Sequence, residues 1–501
     1  MSTIESGSDG PQIPAEPQSS DDRERSTFVA PTTPFEGLTH LRALAAIAVV
    51  ALHAAVPYLR HPMPGLTWPV RDTPDTTADI AFWTIELFIM PLFLMMMGMF
   101  THQSLNRRRL KANRVESPSE PIHLRWMVGR CRRLGYPLLF GCVAVLPFEL
   151  YLWVDGWVLS DLVPARKLQS FKFDGGIDAN LWGTSHLWFL VYGLTYTATF
   201  VGGDATLDWL RRRDSGATKR LTQSVSSRRL PLVGGLVALT SVSICNYVSP
   251  QIVWGFQHDF VPVASKWVYC GIFFAMGVAW SIVDPRLVRT RDRMRMWSIT
   301  AIASGVMAVA MGRQFLAIAT IPGQTEHGLS LDLDAVSRPA LAMMAVATAT
   351  ASISITIAMI AWVTHDRVAA VAANLRNRYA VADRLTRMSR YIAAASLWVY
   401  IVHHPIVGLI HINFRFGPDI GAGAKWGLAT MLATALSLWS YEALARRSRL
   451  GRWIGVADSR AARSVNPRPE QSPGTIPLPA ASSADGFADG FVSVDPPSRA
   501  A

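Results

Sequence analysis

Charge is scarce in this chain. Only 17% of its 501 residues are Asp, Glu, Lys or Arg, and half are hydrophobic, whereas a soluble domain carries about a quarter charged. Cysteine is scarce as well. Cys131, Cys142, Cys245 and Cys270 form no CxxC pair, and none clusters with histidine at a zinc-like spacing. Thiol chemistry, a disulfide framework and a zinc module therefore have no signature here, and buried structural cysteine is the default reading. There is no internal repeat, no Walker motif and no GxGxxG opening a helix. Residues 1–35 lack the apolar stretch of a signal peptide; they are polar and rich in Ser, Pro, Asp and Glu, as in a disordered tail. The stretch 446–501 begins basic and then reads the same way.

What the chain does have is long apolar blocks separated by Arg-rich linkers. About ten blocks are long enough to cross a membrane, near 41–59, 80–101, 134–154, 186–203, 231–248, 265–283, 297–318, 339–363, 392–411 and 424–443. The seventh has the least certain boundary, because Arg313 lies close to its end. Lys and Arg collect in every second connection, as in RRRLKANR, RRRDSGATKR and RLVRTRDRMR. The net charge of +12 is thus better explained by membrane topology than by nucleic-acid binding. The expected fold is all-α: a polytopic membrane helix bundle of about ten transmembrane helices, with both termini cytoplasmic. A membrane domain over 36–445 would lie between a disordered N-terminal tail and a C-terminal tail.

Ionisable residues inside such blocks are costly and usually functional. The first block, HLRALAAIAVVALH, carries Arg42 and His53. Their spacing of eleven returns to within about 20° of one helix face, about 16 Å apart along the axis. That places the arginine at the cytoplasmic mouth and the histidine midway through the membrane. Ala46 and Val49 between them are small enough to leave room for a ligand or a packed helix. Arg42 can equally be an anchor reaching lipid phosphates, and His53 a polar residue bonded to a neighbouring helix.

Further along, Glu86 interrupts an apolar run, where it would pair with an arginine, stay protonated or contact a substrate hydroxyl. Arg130 and Arg133 share a helix face at the cytoplasmic boundary, as a phosphate clamp or as positive-inside bias. His186, Trp188 and Tyr192 fall at the outer interface, where aromatic belts occur. Ser396, Tyr400 and His403 follow at i, i+4 and i+7, so they line one stripe of an otherwise apolar helix. Pro405 should free backbone carbonyls beside them. Adjacent His403 and His404 point about 100° apart, which argues against axial haem ligation.

Five of these segments, in order, resemble the acyltransferase family 3 membrane proteins, and particularly the branch containing glucan biosynthesis protein C. They are R-x10-H at Arg42 and His53, MPLFLMMMG at 90–98, RCRRLGYPLLFG at 130–141, HLWFL at 186–190, and S-x3-Y-x2-H-x-P at 396–405. One departure is Met97, which stands where the family has serine before Gly98.

The resemblance implies an integral membrane O-acyltransferase, transferring groups other than amino-acyl groups, in a bacterial inner membrane. Acyl-CoA would be the cytoplasmic donor, and a hydroxyl of an envelope glycan or related carbohydrate the acceptor. The acyl group would be acetyl or succinyl, so O-acetylation or succinylation, with the glucan likeness favouring succinyl. On this reading His53 and His403 are the catalytic pair, His53 as general base and His403 orienting either His53 or the acceptor, while Arg42, Arg130 and Arg133 hold the donor. Glu86, His186, Ser396 and Tyr400 would support the site or the acceptor side. No bound cofactor, no metal and no nucleic acid are expected, and the bilayer is the standing partner. Two other readings use the same residues: a transporter or flippase for a sugar-like substrate, and a non-catalytic member of the fold, with Met97 as its mark.

Overall fold

The computed structural model describes residues 34–112, 122–169, 181, 183–213, 230–322 and 329–456. Most of both expected tails lies outside the described residues, and so does much of the 155–185 connection.

Each expected apolar block forms helix. The first is α1, Pro34–Ala55. It begins with a proline, whose missing N–H costs nothing there, and has Glu36 in its first turn to complement the helix dipole. A 3₁₀ turn, Val56–Tyr58, with Pro57 inside, ends it. Helix α2 (Thr76–Ala112) continues through Pro91. The third block is one long rod in which α3 (Ile122–Phe140) passes through a π-turn at Gly141–Val145 into α4 (Leu146–Leu159). Then follow α5 (Trp188–Arg213), α6 (Leu230–Val248), α7 (Ala264–Val283) and α8 (Met294–Ala319). After a short antiparallel hairpin, Thr320–Pro322 with Leu329–Leu331, come α9 (Arg338–Thr364), the amphipathic α10 (Asp366–Arg378), α11 (Ala380–Arg415) and α12 (Ala422–Ser440).

Among the described residues, seven helical segments are long and apolar enough to cross a membrane: those containing α1, α2, α3–α4, α7, α8, α9 and α11. The seventh block, expected over 297–318, runs on through Arg313. Helix α8 continues to Ala319 because the guanidinium is neutralised in place, its Nε 2.8 Å from Oδ2 of Asp79. Asp79 is fully buried and also accepts from the backbone N–H of His61, at 2.9 Å.

The bundle has two apolar cores, and α1 forms the seam between them. Leu41, Ala45, Val49 and Leu52 pack into a core with side chains of α2, α7, α8 and α9. Val50 and Ala54, on the opposite face of α1, pack with Trp153, Trp157, Trp398 and Val407 in a core built from α4, α11 and α12. Close helix approach depends on glycine at the crossing of α2 and α7. A Cβ at Gly98 would lie 2.1 Å from the Phe274 carbonyl oxygen, and one at Gly277 would lie 2.0 Å from that of Met95. In the absence of a hydrophobic force between helices in lipid, such small-residue contacts supply packing. The outside of the bundle is apolar: Ile299, Ile302 and Val306 of α8 are each 69% exposed, a surface suited to lipid and not to water.

Candidate active site

Because α1 sits at the seam, a side chain near its end meets α11 inside the protein. His53 and His403 are both buried, and Nδ1 of His53 lies 3.2 Å from Nε2 of His403. The proton positions follow from the acceptors. Nδ1 of His53 is 2.9 Å from the Val49 carbonyl, and Nδ1 of His403 is 2.9 Å from the carbonyls of Val399 and Tyr400. A carbonyl only accepts, so both rings carry hydrogen on Nδ1. His403 therefore turns a lone pair on Nε2 toward the Nδ1–H of His53. The second lone pair of the dyad, on Nε2 of His53, has no hydrogen-bond partner among the described residues. This is the tautomer a general base needs.

Around this dyad stands a ring of aromatic and titratable side chains. The His404 ring is 4.7 Å from that of His53, and Trp68 lies 6.3 Å from it in a stacked orientation. Trp68 donates from Nε1 to Nδ1 of His411, at 3.0 Å. The loop that carries Trp68 is fastened to α4 by two indoles, Trp153 Nε1 to the Thr67 carbonyl at 3.1 Å and Trp157 Nε1 to the Trp68 carbonyl at 2.9 Å. Gly156 permits that contact, since a Cβ there would sit 2.6 Å from Cβ of Pro69.

His186 stands beside the dyad, its ring 5.5 Å from His403 and 4.6 Å from His404. Its Nε2–H donates to the Ile401 carbonyl, at 3.0 Å. Ile401 is four residues before Pro405, so this is the carbonyl that the proline leaves without an intrahelical partner. Helix α11 runs on through Pro405, and the freed acceptor is used to fix a histidine. Tyr400 donates its hydroxyl to the His186 carbonyl.

Glu149 of α4 is the centre's carboxylate. It is 3% exposed, with Oε2 3.1 Å from His186 Nδ1 and Oε1 3.0 Å from His404 Nδ1. Ser185 hydrogen-bonds to Oε1. Its φ of +47° is uncommon for a residue with a Cβ and costs of order 1 kcal/mol. The apolar run of the third block contains this carboxylate just as the second contains Glu86, and that signal was available in the sequence. His404 was visible only as the neighbour of His403.

The other expected residues divide. Arg42 donates from Nη2 to the Ala393 carbonyl, at 2.6 Å. Arg133 is within Coulombic reach of Arg130 and Arg42, and Arg130 of Arg108, so the three expected donor-binding arginines gather at one end of the bundle. Arg130 also lies over the Trp126 ring, 4.8 Å from its centroid. Ser396 belongs to this end rather than to the histidines: its hydroxyl donates to the same Ala393 carbonyl, at 2.9 Å. Glu86 has Lys266 as its electrostatic neighbour, and no contact with His53 or His403 occurs among the described residues. Lys266 is held by the Gln257 carbonyl at 2.7 Å and lies 3.7 Å from the Trp188 ring centroid. Ala46 and Val49 are buried, so helix packing fills the face between Arg42 and His53. Met97 packs toward Gly193 of α5, away from the histidine centre.

An apolar helix bundle with a buried polar centre defines an integral membrane protein. The chain matches the family described as an acyltransferase domain, acyltransferase family 3, over residues 35–442, and it belongs to that family. It is accordingly a membrane acyltransferase. Searches of curated proteins and of solved structures returned no significant match.

Proposed function

We propose that the protein transfers an acyl group, acetyl or succinyl, from acyl-CoA to a hydroxyl of an envelope glycan, with His53 as general base. The observation that carries this reading is the His53–His403 pair at 3.2 Å, with both Nδ1 protons tied to backbone carbonyls. Nε2 of His53 takes the acceptor's hydroxyl proton as the oxygen attacks the thioester carbonyl. Collapse of the tetrahedral intermediate breaks the carbon–sulfur bond, and CoA leaves as a thiol with the proton returned from Nε2. When His53 is cationic, its Nδ1–H bond to His403 becomes charge-assisted and stronger. His403 is thus a positioning residue in the role of the third member of a triad.

The arginines supply the donor end. Arg42 lies about 16 Å along α1 from His53, a separation that the extended pantetheine arm of CoA spans. Arg130 and Arg133 meet its phosphates. The positive-inside pattern puts that end in the cytoplasm, in a ten-span topology with both termini on the same side. The acceptor would arrive from the opposite face, where Glu149, Ser185 and His404 line a small opening with Thr67 and Trp153. The glucan-like motif pattern favours a succinyl group and a bacterial inner membrane.

The test is mass spectrometry of envelope glycans from cells carrying wild type, His53→Ala or an empty vector. An acyl increment seen only with wild type supports the reading and identifies the group. An increment that survives His53→Ala removes His53 as base, and no increment in any fraction shifts the weight to a transporter or a non-catalytic protein.

A further inference from the structure

Glu149, His186 and His404 pose an electrostatic problem that protein atoms do not solve. His186 spends its Nε2 hydrogen on the Ile401 carbonyl, so a neutral ring presents a lone pair at Nδ1. That lone pair is 3.1 Å from Oε2 of Glu149, which also has only lone pairs to offer. Two acceptors this close repel unless something positive lies between them. A proton would make a hydrogen bond, yet neither His186 Nδ1 nor Glu149 Oε2 has a partner in hydrogen-bond geometry; the distance is short, but the direction is wrong. His404 repeats the pattern, with Nδ1 3.0 Å from Oε1, and neither of its ring nitrogens has a hydrogen-bond partner.

These distances suit a different occupant. Ligands held 2.0–2.1 Å from a tetrahedral ion stand roughly 3.3 Å from one another, and one donor atom from each of the three residues falls within a 4.8 Å span. The supporting contacts are those of metal ligands: a histidine fixed by a backbone carbonyl on its far nitrogen, and a carboxylate held by the Ser185 hydroxyl. We propose that Glu149, His186 and His404 bind one divalent transition-metal ion of the zinc class. Two imidazoles and one carboxylate select such ions over Mg²⁺ or Ca²⁺. Three protein ligands leave a fourth position, the pattern of sites that exchange a water or substrate oxygen. The neighbouring opening is lined by Thr67, Trp153, Ser185 and His258, and His53 is one ring away. This assignment does not depend on acyl transfer. Sequence spacing held no trace of it, since the ligands come from α4, the turn before α5, and α11.

The second group of this type among the described residues, His123 with Asp204 and Asp208, provides the control. Its carboxylates are already met by Arg109 Nη2, at 2.5 and 2.6 Å. Untagged full-length protein in detergent, loaded with zinc and then dialysed, would be assayed for metal by mass spectrometry. Cobalt loading would report coordination through its visible absorption. One ion per chain is expected, with the intense bands of tetrahedral cobalt. Glu149→Gln and His186→Asn should lose it, and His123→Asn should keep it. Metal-free wild type after loading would overturn the site, leaving a protonated pair in its place. Loss in His123→Asn with retention in Glu149→Gln would overturn it as well. Should the Glu149 or His186 variants aggregate, wild type alone decides: a zinc-dependent rise in unfolding temperature together with tetrahedral cobalt bands upholds the site, and their absence rejects it.

Discussion

His123 with Asp204 and Asp208, and Glu149 with His186 and His404, both combine histidines with carboxylates and are neutralised differently. The first trio is partly exposed at the Arg-rich end, where Arg109 bridges both aspartates. The second is buried, and no Lys or Arg reaches its carboxylate among the described residues. A rim cluster has water and a guanidinium to satisfy it, and little is required of its geometry. A cluster inside the bundle has only its own histidines and the neutral Ser185 hydroxyl. Its retention there, beside the His53–His403 pair, is what a reactive or ligand-binding centre demands and packing does not. Asp79 is the third case, as buried as Glu149 but closed by Arg313 and His61. Burial alone therefore does not distinguish the candidate site; missing compensation does.

Substitutions that separate activity from stability test this contrast. The largest effect is expected at His53. His53→Ala should lower turnover by about 10²–10⁴-fold with little change in unfolding temperature, and His403→Ala by about 10–100-fold, the worth of one charge-assisted hydrogen bond. If activity and stability fell together in both variants, the dyad would be packing like any other. Arg313→Ala reverses the pattern. It leaves Asp79 buried with only His61 and should cost about 3 kcal/mol, read as a fall in thermal unfolding in detergent. Unchanged stability would mean that water reaches Asp79, and the compensated class would lose its best member.

At the rim, Arg109→Ala should cost about 1 kcal/mol or less and leave acyl transfer intact. A loss of activity there would mean that the outer trio belongs to the site. The smallest effect concerns Asp72, in the loop that carries Trp68. Burial would raise its pKa, but the Lys425 ammonium at 2.9 Å and the Thr73 N–H at 2.7 Å outweigh it, holding the carboxyl below its usual range. A depressed folded value contributes stability above the unfolded pKa of about 4, lost as pH falls through the folded value. Wild type should therefore lose unfolding temperature with acid more steeply than Asp72→Asn. Parallel slopes would show that the loop gains nothing from this pair.

Much of the fold was legible because a membrane block is a local property. Twenty apolar residues must close their backbone hydrogen bonds within the segment, so each block forms helix wherever it packs. Arg42, His53, His403 and Pro405 were legible for the same reason, as exceptions inside such runs. Arg313 made the end of the seventh block hard to place because the partner that neutralises it, Asp79, lies 234 positions away. Ser396 shared a helical stripe with His403 yet ended at the Arg42 level, because a stripe fixes the side a residue faces and not its depth. Glu86 and Glu149 gave the same sequence signal, and only packing separated the one beside Lys266 from the one between two histidines.

The sequence by itself determined the helices, their apolar exterior and which polar residues had to be explained. Tertiary structure decided which of them meet. Helical periodicity places residues around a single axis, whereas the His53–His403 contact and the Glu149 cluster depend on how α1, α4, α5 and α11 cross, a relation set by side-chain packing between segments far apart in the chain.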